Sequence, residues 1–340
     1  MSGRTNATLG HYDFAMNSEV IDLHDAGVNC QSWPDHPIGT YGAAGHFIDD
    51  QLLVCGGENA NGITKLCYSI SPSNAEKQCN LTFASQYSSG TRIDDDTIWI
   101  TGGLGIDNQT LDRTEYVHVS QTENSLGLNF PSAIYGHCFI RIADKTFFLS
   151  GGFDGVDTIE NKTYILSLEE GGRWQFTPGL EMSMNRYFHA CGSFTFNNEL
   201  ILAVVGGATY TSATSDSNFS EFLSYDSEDP HWDNRGTELD LLSNYDLSGQ
   251  LLVSNGETLF YINTLENVFF KLGHTLEGFE WIQMNLRLET PRQFAIGVLI
   301  RDELTDCKKR LNRSSCNHPP LKLAMALVLC QIGIFHQHPV

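Results

Sequence analysis

Apolar residues fall in short runs along this chain, each about the length of a strand, with polar turn residues between them. Residues 137–142, 146–150 and 163–167 make one such series, and a further run opens at Trp174. Ala143-Asp144-Lys145 and Gly151-Gly152 separate the first three. Runs of this kind bounded by turn chemistry predict four strands in an antiparallel sheet. No helix accompanies them to cover either face. Such a unit cannot bury both its faces alone, so it must stack on copies of itself.

The copies are visible along the chain. Gly56-Gly57, Gly102-Gly103, Gly151-Gly152 and Gly206-Gly207 each follow an apolar run, at intervals of 46, 49 and 55 residues. A polar turn precedes each pair, at Asp49-Asp50, Asp94-Asp95-Asp96, Asp144-Lys145 and Asn197-Asn198. Tyr68, Tyr116, Tyr164 and Tyr225 follow the glycines, and Trp174 and Trp232 mark an outer strand in two units. A diglycine suits the end of the second strand, because it permits positive φ and close approach of neighbouring backbones.

This pattern resembles the kelch repeat, whose period is about 50 residues, and is similar to that of secreted kelch proteins of invertebrates. The resemblance covers roughly residues 40 to 306. It implies an all-β fold, a six-bladed kelch-type β-propeller. Residues 1–18 read as an irregular N-terminus, 19–306 as the propeller, and 307–340 as a disordered tail.

The first whole unit runs from 43 to 83, with strands expected at 45–48, 51–55, 67–70 and 79–83. The second spans 88–129, with Leu126 and Leu128 in place of an outer tryptophan. The fourth spans 189–232 and carries a Ser-, Thr- and Asp-rich insertion at 208–220. The fifth departs from the pattern: strands at 250–254, 257–262, 268–272 and 281–286, a type I′ turn at Asn255-Gly256, and no diglycine. Two pieces are left over, 19–23 and 293–300. Paired in one sixth blade they close the ring, with 293–300 innermost, 19–23 outermost and one strand missing. The apolar run at 323–335 is too short to span a bilayer. It reads as part of the disordered tail, with a lipid-anchor signal at Ser314 and Ser315 as the alternative.

Composition narrows the partners. The 340 residues hold 41 Asp and Glu against 20 Lys and Arg, a formal charge of −21. That surface repels phosphate backbones and anionic headgroups, so nucleic acid and membrane surfaces are excluded as expected partners. Nine cysteines and six Asn-x-Ser/Thr sequons point to the secretory route. Asn80, Asn108, Asn161 and Asn218 are the sequons expected to carry glycans, the last three beside loops that follow a diglycine. Against this, residues 1–8 contain no apolar run of a signal peptide, so a cytoplasmic location is the alternative. Cys67 and Cys79 flank a hairpin and either staple it or serve as small core residues.

Enzyme motifs are absent: no Gly-x-Ser-x-Gly, His-Glu-x-x-His, Cys-x-x-Cys or phosphate-binding glycine loop. His46, His137 and His189 read as equivalent positions on three first strands, where packing explains them better than metal does. The acids at Asp94–Asp96 and at Asp154 and Asp157 read as turn formers rather than Ca²⁺ ligands. The expected function is therefore a non-catalytic binding module, without cofactor or metal, outside the cell. It would meet a protein or glycan ligand on the loops at 58–66, 104–113, 153–162 and 208–220. An intracellular kelch adaptor and a carbohydrate-active propeller enzyme are the alternatives.

Overall fold

A computed structural model describes residues 18–23, 29–30, 33–121, 123–209, 219–233, 250–264, 266–275, 278–289, 293–300, 307–308 and 324–330. Among these residues every regular element is a strand. Five four-stranded antiparallel sheets follow one another along the chain. Sheet 1 comprises Ala44–Ile48, Gln51–Cys55, Leu66–Ile70 and Ala75–Asn80. Sheet 2 comprises Ser89–Arg92, Thr97–Thr101, Thr114–His118 and Ser125–Leu126. Sheet 3 is built from Cys138–Ala143, Thr146–Ser150, Thr163–Leu168 and Trp174–Pro178. Sheet 4 is built from Ala190–Phe196, Glu199–Val205, Ser220–Ser224 and Trp232–Asp233. Gln250–Ser254, Leu259–Asn263, Val268–Thr275 and Gly278–Met284 form sheet 5.

A sixth sheet has three strands, ordered Gln293–Ile300, Ala324–Cys330 and Ser18–Asp22. The two leftover pieces of the sequence do share a sheet, and they lie at its two edges. They do not pair with each other. Ala324–Cys330, expected in a disordered tail, runs between them, with Val20 opposite Ala326 and Val298 opposite Ala326 from the other side. An apolar run of seven residues that is too short for a membrane has the right length for a strand. Cys307–Lys308 also pairs, with Asn29–Cys30.

Burial explains why second strands read as unbroken apolar runs. Both faces of each are covered, so both sets of alternating side chains are apolar. In sheet 1, Leu53 and Cys55 pack towards sheet 2 with Ile98 and Ile100, while Leu52 and Val54 pack on the other side with Val20 and Trp33. Trp99 of sheet 2 then meets Phe147 and Leu149 of sheet 3, and Phe148 meets Leu202 and Val204 of sheet 4. Ile201 and Ala203 meet Leu259 of sheet 5, whose Phe260 and Ile262 pack with Leu23. First strands lie side by side in the same order, each beside the next, and Gln293–Ile300 contacts the first strands of both sheet 5 and sheet 1.

Two hairpins follow the sequence closely. Asp49 and Asp50, and Asn197 and Asn198, all have positive φ, as two-residue type I′ turns require. Asn255-Gly256 does not make that turn. Its loop is four residues long, from Ser254 to Leu259, and the Asn255 carboxamide oxygen accepts from the amides of Glu257 and Thr258. The outer strand of sheet 1 lies at Ala75–Asn80, earlier than the expected 79–83.

The cysteines correct the expected staple. Cys67 is bonded to Cys55, and Cys79 is a free, buried thiol. Cys67 lies directly opposite both, on the strands to either side, so spacing along the chain did not choose between them. A second disulfide, Cys138–Cys191, joins the first strands of sheets 3 and 4. Cys30 is disulfide-bonded as well.

Candidate functional site

The segment entering each first strand sets the geometry of the site. Gly42, Tyr87, Gly136 and Phe188 occupy equivalent positions before sheets 1 to 4, all with φ between 55° and 64°. Their backbones are strung together: the Tyr87 amide donates to Gly42 (2.7 Å), Gly136 to Tyr87 (3.0 Å) and Phe188 to Gly136 (2.6 Å). The alternation of glycine and aromatic follows from space. A Cβ on Gly42 would lie 2.8 Å from the Tyr87 ring, and one on Gly136 2.8 Å from the Phe188 ring. Each ring thus lies over the glycine of the preceding sheet. Tyr87 and Phe188 hold a backbone conformation that costs a bulky residue of order 1 kcal/mol, a cost typical of functional positions.

These rings form one aromatic cluster. Tyr87 and Phe188 meet edge to face at 4.9 Å, and Tyr135 contacts both at about 6 Å. Tyr187 lies tilted at 4.8 Å from Phe188, while Phe153 touches Tyr135 and Tyr187. Tyr41 lies 6.1 Å from Tyr87 and its hydroxyl donates to the Glu58 carboxylate. Burial, then the Glu58 carboxylate, pushes the Tyr41 phenol above its ordinary range. Tyr87 is raised too, again chiefly by burial. Both remain neutral hydroxyl groups at any physiological pH. The cluster belongs to the face that carries the loops at 58–66, 104–113 and 153–162. Ile106 and Val156, on the last two, are 68% and 80% exposed.

Beneath the rings lies a cavity of about 780 Å³, lined by the first strands of sheets 1 to 5 and by Ile296. Small residues bring these strands together: a Cβ on Gly90 would stand 2.9 Å from the Gly45 amide nitrogen. The ionisable side chains on the described wall are His46, His137, His189, Arg92, Arg141 and the Tyr87 phenol, with no carboxylate among them. Each arginine turns to its own hairpin, Arg92 pairing with Asp95 and Arg141 with Asp144.

The three histidines are not equivalent, contrary to the sequence reading. His137 and His189 share one position, which Ala43 and Ser88 occupy in sheets 1 and 2, and His46 stands three residues further along. His137 Nε2 bonds Thr101 Oγ1 at 2.9 Å and His189 Nε2 bonds Ser150 Oγ at 2.8 Å, each on the preceding sheet. Their rings fill the space left by the diglycines: a Cβ on Gly102 would meet His137 Cε1 at 2.7 Å, and one on Gly151 would meet His189 Cε1 at 2.7 Å. Burial lowers both pKa values to about 3, so these are neutral packing groups. His46 Nδ1 donates to the Phe47 carbonyl, and burial lowers its pKa. Among the described residues no group of three or more His, Cys, Asp and Glu is placed to hold a metal ion.

The acidic motifs serve turns. Asp154 Oδ1 accepts from the amides of Val156, Asp157 and Thr158, which holds its carboxyl below the usual range. Asp94 accepts from the Asp96 amide, and Asp96 from Ser120. Asn80 and Asn108 are exposed, whereas Asn161 is half-buried with its carboxamide donating to Met182 O at 3.3 Å. Asn218 lies outside the described residues, as do Asn6, Asn312 and most of the 208–220 insertion. Of the tyrosines, Tyr68 and Tyr164 share a position on the third strand, and Tyr116 and Tyr225 do not.

Sequence reasoning missed two features. The aromatic mouth was signalled by Tyr41-Gly42, Gln86-Tyr87, Tyr135-Gly136 and Tyr187-Phe188, at the repeat interval. A buried ion pair, Arg186–Glu221 at 2.7 Å, was signalled by Ser220-Glu221 matching Thr114-Glu115. Both glutamates accept a backbone amide from the preceding sheet, Ser183 for Glu221 and Thr82 for Glu115.

No family model matches this chain, and no curated protein matches it. Among solved structures 262 chains match. One of them, described as the structure of YjhT, superimposes with a TM-score of 0.57, over 82% of this chain and 87% of that one, at 12% identity. A likeness at that identity is one of fold: an all-β architecture of four-stranded antiparallel sheets consistent with a β-propeller.

Proposed function

We propose that this chain is a six-bladed kelch-type β-propeller, its last blade shared by strands from the two ends. In this reading it acts as a non-catalytic binding module, outside the cell, for a protein or glycan ligand. The observation that carries it is the aromatic mouth. Tyr87 and Phe188 retain strained backbone angles where glycine would relieve them, and their rings sit on the face that bears the loops. Aromatic side chains with neutral hydroxyl groups offer large contact area at low entropic cost, which suits both ligand classes. The Cys55–Cys67 and Cys138–Cys191 disulfides favour an oxidising compartment. Exposed Asn80 and Asn108 are compatible with glycans there.

Tyr87→Gly tests the reading, because it removes the ring and relieves the backbone together. The full chain, made in a secretory host, is screened against immobilised glycans and extracellular proteins. The expected result is at least one saturable ligand, bound at least tenfold more weakly by Tyr87→Gly while the melting temperature holds or rises. Binding that Tyr87→Gly leaves unchanged would place the ligand elsewhere.

A further inference from the structure

Sheet 1 sets three cysteines in one row. Cys55, Cys67 and Cys79 lie directly opposite one another on three consecutive strands. All three face sheet 2 within a single apolar cluster, between 0% and 7% exposed. Directly opposed residues have their Cβ atoms about 4.5–5.5 Å apart, so Cys67 has a sulfur neighbour on each side. One neighbour, Cys55, is bonded to it, and the other, Cys79, keeps its thiol.

We propose that this row is a thiol–disulfide exchange site, in which Cys79 attacks Cys67 and releases Cys55. The step is an isomerisation. The Cys79 thiolate forms the new S–S bond with Cys67 Sγ, the Cys55–Cys67 bond breaks, and its electron pair leaves on Cys55 Sγ. The proton lost by Cys79 is balanced by one taken up by Cys55, and no oxidant or reductant is consumed. The attacking group faces Glu115 on sheet 2, Lys77 on its own strand, and the Asn124 side chain. The bonded pair in the structure is Cys55–Cys67, and burial, with Glu115 adding to it, raises the Cys79 thiol, which keeps it protonated and slows the attack.

The two arrangements differ in what they hold. Cys55 directly precedes Gly56-Gly57, so the Cys55–Cys67 bond closes the base of the segment 56–66. That segment carries the short hairpin Glu58–Asn59 with Gly62–Ile63, and Glu58 receives the Tyr41 hydroxyl. Exchange moves the staple to the outer strand pair and frees the loop base beneath the aromatic mouth. The chemistry is independent of which ligand, if any, that mouth receives.

Trypsin reads the linkage directly. Cleavage after Arg4, Lys65, Lys77 and Arg92 places Cys55, Cys67 and Cys79 on three peptides, 5–65 (which also carries the disulfide-bonded Cys30), 66–77 and 78–92. The folded full chain is incubated at about pH 7 and about pH 8.5 without reductant, quenched in acid, labelled with N-ethylmaleimide, deglycosylated and mapped. At the lower pH the 66–77 peptide should be joined to 5–65, with Cys79 labelled. At the higher pH a 66–77 to 78–92 link should grow with first-order kinetics, independent of protein concentration, leaving Cys55 labelled. The rate should rise about tenfold per pH unit while the thiolate is scarce, and Cys79→Ser should abolish it. In Cys55→Ser, glutathione disulfide should close Cys67–Cys79 with the β-sheet circular dichroism unchanged. Should that variant fail to fold, the wild-type kinetics decide alone. Persistence of Cys55–Cys67 as the sole linkage at the higher pH, or exchange that scales with protein concentration, would overturn the proposal.

Discussion

Arg186 is fully buried, and its charge is met by Glu221, itself 1% exposed. The guanidinium also donates to the Gly206 and Phe219 carbonyls, so one side chain ties the entry to sheet 4 to its diglycine and third strand. Breaking such a pair from one side leaves a buried carboxylate uncompensated, which costs about 3–5 kcal/mol. Arg186→Ala should lower the denaturant-derived unfolding free energy by that amount. By contrast, losing the Arg92 partner in Asp95→Ala, where the carboxylate is almost wholly exposed, should change it by less than ~1 kcal/mol. Alongside His36 and His46, which burial also lowers, two histidines contribute strongly to the pH dependence: His137 and His189. Their folded pKa values of about 3 lie below the unfolded value of about 6.5. Between those limits the unfolded chain binds protons that the folded one refuses. Stability from these sites is therefore complete above about pH 6.5 and is lost as pH falls towards 3, by up to ~1.4 kcal/mol per pH unit for each histidine. Urea titrations at about pH 7, 5.5 and 4.5 should show that slope, and His137→Asn should make it shallower.

Strands and turns were the most legible part of the chain, because their causes are local. Asp49-Asp50 and Asn197-Asn198 announced their hairpins, and the unbroken runs at 51–55, 97–101 and 146–150 announced strands covered on both faces. The errors arose where the cause is distant. Whether Cys67 bonds Cys55 or Cys79 depends on strands to either side, which spacing cannot rank. The tail strand Ala324–Cys330 is held by backbone pairing with strands drawn from the two ends of the chain, which no local pattern announces. Within the candidate site, the histidines were read as packing groups but aligned incorrectly, since the Tyr41-Gly42 and Tyr135-Gly136 pairs that mark the register before a first strand were not used. The diglycines show both scales meeting. At Gly151 φ is +56°, and an added Cβ would stand 2.4 Å from the Arg186 carbonyl and 2.7 Å from His189 Cε1. Gly171 has φ of +104° but nothing within 4 Å of such a Cβ. Gly171→Ala should cost only the conformational strain, of order 1–2 kcal/mol. Gly151→Ala carries the same kind of strain plus a clash with backbone, so its loss in thermal and chemical denaturation should be clearly larger.

At the scale of the molecule, the arrangement of apolar clusters decides how the ends are held. Each cluster bridges two neighbouring sheets, and two of them include residues from the first described strand and its exit: Val20 packs with sheet 1, and Leu23 with sheet 5. In a closed ring the strand at 18–22 and its exit are packed against both neighbouring sheets, although they lie far along the chain from Val253, Phe260 and Phe269. In an open stack it would be an edge, free to fray. The Cys138–Cys191 bond does not distinguish the two, since it joins adjacent sheets and tightens a loop of about 53 residues whichever holds, worth ~4 kcal/mol by chain entropy. Leu23 does distinguish them. It is 1% exposed, against 2% for Leu149 in the middle of sheet 3. Leu→Ala in a packed core costs about 2–5 kcal/mol when the surrounding structure stays ordered. If the six sheets close a ring, Leu23→Ala should cost as much as Leu149→Ala, and both should unfold in one cooperative transition. A loss below about 1 kcal/mol at Leu23, beside a full loss at Leu149, would mean that the N-terminal strand frays as an edge does and that the six sheets form an open stack.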